Sequence, residues 1–456
     1  MQCLPLRRFV SASFVVAISL AVAHAQNGAA TPHRIAVFGS SVANGTGDEL
    51  AKEGYTGRLR ELLAPRGWEV LNQSRGGDNT IRMAPRFAPA GAPESNVRYL
   101  LPVNPTYVLL GLSLGNEGIR DVSTRADKDA IFDQFAKGML GFVDRSREHG
   151  IVPVITLCYT RMDFTDIEYE YTRRMNLLLN SWDVPTVNFL GAVDDGSGKW
   201  ARGFWFDSLH PNAAGHVEIT RTFVPTLFEA LELGKPMPQR VFTDNFVHLT
   251  PGDLRIVFTP TDGVHPFAYG FTVRAQQNGT VSTIAGRRLD IAIEAKKLER
   301  GARTVEFESA TLTAGGTFVS GVVVDNGLWA YRGADGRLIR SEVPADRAWH
   351  QILVSHYTAR GQTLLFVDGK LAGTTAERLE PARFALGGTT GFDARDVVFY
   401  RSALNADEAA ALHGGKLLQA SLEIYSPLDN VELRVGASVA NFAQSMTAAQ
   451  VQLGSH

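Results

Sequence analysis

Residues 34–45 read Arg34-Ile35-Ala36-Val37-Phe38-Gly39-Ser40-Ser41-Val42-Ala43-Asn44-Gly45. The first five are mostly apolar and of buried-strand length, and a Gly-Ser-Ser turn closes them. Gly39 permits a tight turn, so a serine there sits where a sheet edge meets solvent. The chain beyond it repeats this theme. Leu59, Leu62 and Leu63 at helical spacing predict a helix over 54–64, stopped by Pro65-Arg66-Gly67. Strands are expected at 68–71, 107–112, 151–157 and 186–189. Helices are expected at 127–149, 167–182 and 213–233. In the first of these, Ile131, Phe132, Phe135, Met139, Phe142 and Val143 share one face, and Gly150 is placed as the C-terminal cap. Alternating strands and helices over residues 33–233 imply an α/β fold with a parallel sheet covered on both faces. Ligands of such sheets bind at the carboxyl ends of the strands.

The pattern changes after Leu233. Gly234-Lys235-Pro236-Met237-Pro238 marks a linker over 234–239. From 240 to 427 helical periodicity nearly vanishes. Short alternating runs at 289–295, 304–307, 318–324, 350–355 and 364–367 are separated by Gly, Asp and Asn turns, the pattern of an all-β sandwich. A last strand is expected at 422–425. Residues 428–456 read as a C-terminal extension, partly disordered.

Composition sets limits on function. The formal net charge of -2 gives no electrostatic reason to expect a nucleic-acid or anionic-membrane partner. Arg7 and Arg8, the apolar run 9–22 and Ala23-His24-Ala25 have the layout of a secretory signal peptide over 1–25. Export to the periplasm or the exterior is therefore expected, and no later stretch is apolar enough to span a bilayer. Of the two cysteines, Cys3 falls within that signal. Cys158, after an apolar run, reads as a packed core thiol.

The chemistry rests on four blocks. Ser41 comes just after the first strand, where backbone N–H groups can face developing negative charge. Asp207-Ser208-Leu209-His210-Pro211-Asn212 places an acid three residues before a histidine. A serine hydrolase needs a base for the hydroxyl proton and a carboxylate to orient that base. Each block alone would more often be a turn or a helix cap. Asn72-Gln73-Ser74-Arg75-Gly76-Gly77-Asp78-Asn79-Thr80 comes after the second strand, and Leu114-Gly115-Asn116-Glu117-Gly118 after the third. A backbone N–H and an Asn amide are donors that an oxyanion hole requires. Tyr159 and Arg161, just past the fourth strand, and Trp200 and Trp205, before Asp207, are candidate substrate contacts. The other reading of the tryptophans is as core or loop anchors.

Taken in order, the four blocks resemble the SGNH (GDSL-like) hydrolases over about residues 33–233. The resemblance implies a three-layer sandwich and an esterase. It implies Ser41 as nucleophile with Asp207 and His210, and an oxyanion hole from Ser41, Gly77 and Asn116. Three departures stand. Ser40 replaces the family's usual aspartate and is the rival nucleophile. Leu114 stands where the third block has glycine. Gly76 competes with Gly77, which is chosen because Asp78 comes directly after it.

The second half resembles a laminin-G-like, concanavalin A-like jelly roll. Asp368-Gly369 turns between alternating strands, and Asn405 caps a short helix with Glu408 at the capping-box position. Such domains bind glycans or proteins, or only shape a neighbour's cleft. Calcium in this sandwich finds no dense acidic loop in the sequence, and the esterase chemistry requires no cofactor. The expected partner is an ester substrate, an acylated carbohydrate, with acetyl the leading acyl group. The alternatives are a lipid-directed esterase or lysophospholipase, and a non-catalytic glycan-binding protein. The sequence does not set the oligomeric state.

Overall fold

A computed structural model describes residues 33–454 apart from 253, 261, 301 and 302. The expected signal peptide, residues 1–25, lies outside the described residues.

β1 (His33–Gly39) explains the first layers. Ile35 and Val37 point to one side, into a cluster with Tyr55, Leu59, Ile219 and Phe223. Ala36 and Phe38 point to the other, into a cluster with Phe135, Met139, Phe142 and Met175. A parallel strand must be covered on both faces in this way, because its crossover helices lie on both. β1 pairs in parallel with β2 (Trp68–Asn72) and β3 (Tyr107–Gly111). β4 (Val152–Thr156) and β5 (Thr186–Val187) complete a sheet of five described strands in the order β2-β1-β3-β4-β5. Helices Gly54–Leu63, Arg125–Glu148 and Asp166–Leu179 match the expected ones within a few residues.

The last helix of this region differs from expectation. Residues 213–233 form two helices, Ala213–Arg221 and Leu227–Glu232, not one. Pro225 lies between them. It lacks an N–H and disfavours helical backbone at the residue before it, so the first helix ends upstream.

The second half is antiparallel. Among the described residues, sheets of nine and seven strands face each other. Phe258, Phe267, Tyr269, Phe271, Trp329, Phe384 and Phe399 fill the space between them. Asp368 and Gly369 both take positive φ in the two-residue turn expected there, and Asn405 caps helix Ala406–His413 with Glu408.

Two features exceed the expectation. The runs at 289–295, 304–307 and 318–324 belong to one long hairpin, Ser282–Arg300 with Arg303–Asp325. Gly315 and Gly316 do not end a strand. They face the register shift between Arg287 and Leu289, where the strand bulges and continues. Residues 428–456, expected as a partly disordered extension, supply strands Ser438–Val439 and Ala449–Leu453. The latter pairs with Leu254–Phe258 and buries Ala449 and Val451. Among the described residues no helix is long and apolar enough to cross a membrane.

The end of β1 has little slack. Gly39 stands opposite Gly111, and a Cβ on Gly39 would lie 2.2 Å from the Gly111 carbonyl oxygen. Gly39→Ala is therefore expected to lower the stability of the fold by about 3 kcal/mol through overpacking, read from urea unfolding.

Candidate active site

Ser41 lies two residues past the end of β1, in a turn closed by N–H donation from Asn44 to the Ser40 carbonyl and from Thr46 to that of Ser41. Its Oγ is 2.9 Å from His210 Nε2. Ser40 is buried; its N–H donates to the Gly111 carbonyl, and its Oγ has no partner. Of the two candidate serines, the imidazole meets Ser41.

The Asp207–His210 loop is shaped by its own aspartate. Asp207 Oδ1 accepts from the N–H groups of Leu209 and His210, each at 2.9 Å. This folds the loop so that His210 Nδ1 lies 2.8 Å and 2.9 Å from the two carboxylate oxygens. Nδ1–H then points to the carboxylate, and Nε2 is left as the acceptor facing Ser41. Burial opposes ionisation of Asp207, but His210 and the two backbone N–H groups outweigh it and hold the carboxyl below its usual range. Such a chain can take the Ser41 proton onto His210 and stabilise the imidazolium that forms.

Two contacts hold the Ser41 turn against this loop. Gly47 has φ +94°, and a Cβ there would lie 2.2 Å from the Pro211 carbonyl oxygen and 3.0 Å from His210 Cβ. Only glycine fits that backbone and that gap. Behind it, His216 is fully buried. Its Nδ1 accepts from the Tyr55 N–H at 3.1 Å and its Nε2 donates to the Thr46 carbonyl at 3.2 Å. Burial pushes its pKa down to about 4, so the ring is neutral near pH 7, as this bonding requires.

The other expected residues divide. Gly76 and Gly77 are both exposed beside the site. A Cβ on Gly76 would lie 3.9 Å from Ser41 Cβ, whereas Gly77 has open space around it and φ +82°. Arg75 and Arg86 both grip Asp78, which anchors this loop. Asn116 is half-buried after β3, and its Oδ1 accepts from the Ser113 N–H at 2.9 Å. That bond fixes the amide so that Nδ2 is the end left to donate. The Tyr159 hydroxyl reaches the same Oδ1 at 3.5 Å.

Tyr159 and Trp200 are both buried and stack on each other at 5.8 Å between ring centroids. Trp205 is half-buried against the same core. Arg161 is tied to Asp163 and to the Gly115 carbonyl, so it braces the Asn116 loop. Cys158 lies in the core, where burial pushes its thiol up to about 12.

Sequence reading missed His216, Glu49 and the second role of Asn212. Asn212 is visible as a helix cap, accepting from Gly215 N–H. Its Nδ2 also donates to the carbonyls of Gly203 and Glu308, a clasp no local pattern announces.

Residues 37–217 match the model of the GDSL-like lipase/acylhydrolase family. The match marks them as an ester-hydrolase domain of the SGNH type. No curated protein matches the chain. Among solved structures it is similar to a putative lipolytic protein of the G-D-S-L family from Desulfitobacterium hafniense, with 13% identity and TM-score 0.33, covering 41% of this chain and 95% of that one. It is also similar to Axe2, an acetylxylan esterase from Geobacillus stearothermophilus, with 15% identity and TM-score 0.30, covering 41% and 91%. A third is a putative carbohydrate binding protein from Bacteroides ovatus, with 11% identity and TM-score 0.30, covering 45% and 58%.

His216 makes stability depend on pH. Its pKa is about 4 in the fold against 6.5 as the ordinary value. Between these values the unfolded chain binds a proton that the folded chain refuses, so stability falls as pH falls through that window. The shift corresponds to about 3 kcal/mol. His216→Gln, which keeps an acceptor and a donor, is expected to flatten the slope of the urea midpoint over that pH range.

Proposed function

We propose that this chain is an exported serine esterase that removes acetyl or other short acyl groups from carbohydrate. The reading of the site is carried by one observation, the continuous contact from Ser41 Oγ through His210 to Asp207. His210 deprotonates Ser41, and the alkoxide attacks the ester carbonyl. The Ser41 and Gly77 N–H groups and the Asn116 amide hold the oxyanion. His210 then gives its proton to the departing alcohol. Water, deprotonated by His210, releases the acid from the acyl-enzyme. These steps use side chains and backbone alone.

The carbohydrate part of the proposal rests on the polar surroundings of Ser41 and on the β region beyond residue 239. Asn44, Asn116 and the exposed Arg82 and Arg98 surround the nucleophile turn and the Gly77 loop with polar groups. The facing antiparallel sheets are read as a laminin-G-like, concanavalin A-like jelly roll, a frame suited to holding a glycan near the site. Residues 33–233, 234–239 and 240–427 are taken as hydrolase, linker and sandwich. Export rests on residues 1–25. A non-catalytic role would call for Ser41 and His210 beyond hydrogen-bond reach, and they are 2.9 Å apart.

Ser41→Ala is expected to abolish hydrolysis of 4-nitrophenyl acetate with folding unchanged by circular dichroism; retained activity sinks the nucleophile assignment. Asn116→Ala is expected to lower kcat roughly 100- to 1,000-fold, the usual effect of losing one oxyanion donor. For the substrate, acetate release from acetylated polysaccharides is compared with turnover of esters of increasing acyl length. No acetate release beside good long-chain turnover would replace carbohydrate with lipid.

A further inference from the structure

Glu49 belongs to the segment just after Ser41, but its carboxylate bonds to two other parts of the protein. Oε2 accepts from the Ala213 N–H at 2.7 Å. Oε1 accepts from Ser309 Oγ at 3.2 Å and lies 3.7 Å from Lys296 Nζ. The side chain is 7% exposed, so these partners hold a nearly buried charge. Ala213 opens helix Ala213–Arg221 three residues after His210, where a carboxylate is favoured by the helix dipole. Ser309 and Lys296 belong to the two strands of the long hairpin.

The hairpin holds the His210 loop at further points. The Ala310 N–H and Asn212 Nδ2 both donate to the Gly203 carbonyl at 2.8 Å. Asn212 Nδ2 also reaches the Glu308 carbonyl at 2.9 Å. Phe307 packs on Phe206, next to Asp207, with ring centroids 4.9 Å apart. Apolar packing across this seam centres on Ala201, Phe204, Ala310 and Ala359, with Ile291, Ile293 and Leu312 against them. Beside it a cavity of about 410 Å³, lined in part by Glu49, Val217, Leu289 and Leu312, separates the helix from the hairpin. Apolar packing is non-directional, so the polar bonds set the register.

We infer that Glu49 is a positioning residue. It registers the Ser41 turn, the helix that begins beyond His210 and the hairpin against one another. The C-terminal β region is thereby a working part of the esterase. The inference rests on the proposed roles of Ser41, His210 and Asp207. Glu49 touches no reacting atom; it acts by keeping two distant chain segments in bonding register, where a displacement of about 1 Å is enough to cost a hundredfold in rate.

The test uses the full chain and 4-nitrophenyl acetate, with kcat expressed per site titrated by a fluorophosphonate. Glu49→Ala is expected to lower kcat roughly 10- to 100-fold with KM within about twofold of wild type. Glu49→Gln can still accept from Ala213 and can donate to Ser309, and it is expected to restore kcat to within about threefold of wild type. Ser309→Ala is expected to fall between them. A merely structural role would lower the melting temperature or the titratable fraction and leave kcat per site unchanged. That outcome, or Glu49→Gln no better than Glu49→Ala, overturns the inference. Should Glu49→Ala fail to fold, Ser309→Ala combined with Lys296→Met decides, since both leave the Ala213 bond in place; unchanged kcat per site then overturns it. Ser41→Ala runs alongside. Its full activity would remove the underlying reading and this inference together, whereas an inactive Ser41→Ala beside an unaffected Glu49→Ala overturns this inference alone.

Discussion

A neutral imidazole behind the site carries much of the arrangement in front of it. His216 is buried between the Thr46 carbonyl and the Tyr55 N–H, so one ring joins the Ser41 turn, helix Gly54–Leu63 and helix Ala213–Arg221. A charged ring could not accept from Tyr55 and would be expensive to bury. Close by, the Asp48 carboxylate accepts from Arg58 and from the Gly54 N–H, which closes the other end of the same turn. Burial works against that carboxylate, and these hydrogen bonds overcome it, keeping it ionised. The turn is thus fixed on both sides where Ser41 meets His210.

That order matters because Ser41 and His210 are far apart in the chain. Chain connectivity cannot align them, so the tolerance must come from packing. Gly47 removes the side chain that would keep the two loops apart, and the hydrogen bonds of Asp207 give its own loop a single shape. The hairpin then supports that loop from behind through Asn212 and Gly203. Each contact restrains a different degree of freedom, and together they hold Oγ and Nε2 at bonding distance.

Much of the first region was legible in the sequence because parallel strands announce themselves as apolar runs ending in turns. The strand ends were read to within a residue or two, which placed Ser41, the Gly77 loop and Asn116 at one edge of the sheet. What the sequence hid has physical causes. The 213–233 span was read as one helix, and Pro225 within it divides it in two. Gly315-Gly316 carries the signature of a turn, and only cross-strand pairing reveals a bulge in a continuing strand. Tyr159 and Trp200 were candidate cleft residues, with core or loop anchoring the other reading of the tryptophan, and the structure buries both. Glu49 has no motif at all; its role depends on partners from two distant segments.

The meeting of Gly203 and Ala310 has an evolutionary consequence. A Cβ on Gly203 would lie 3.0 Å from the Cβ of Ala310, and the two residues share a backbone hydrogen bond. A side chain at Gly203 would therefore crowd Ala310, although one residue lies in the region matched to the acylhydrolase family and the other does not. Descendants of this chain that shuffle the β region onto another hydrolase would have to carry that small-residue pair across as a unit.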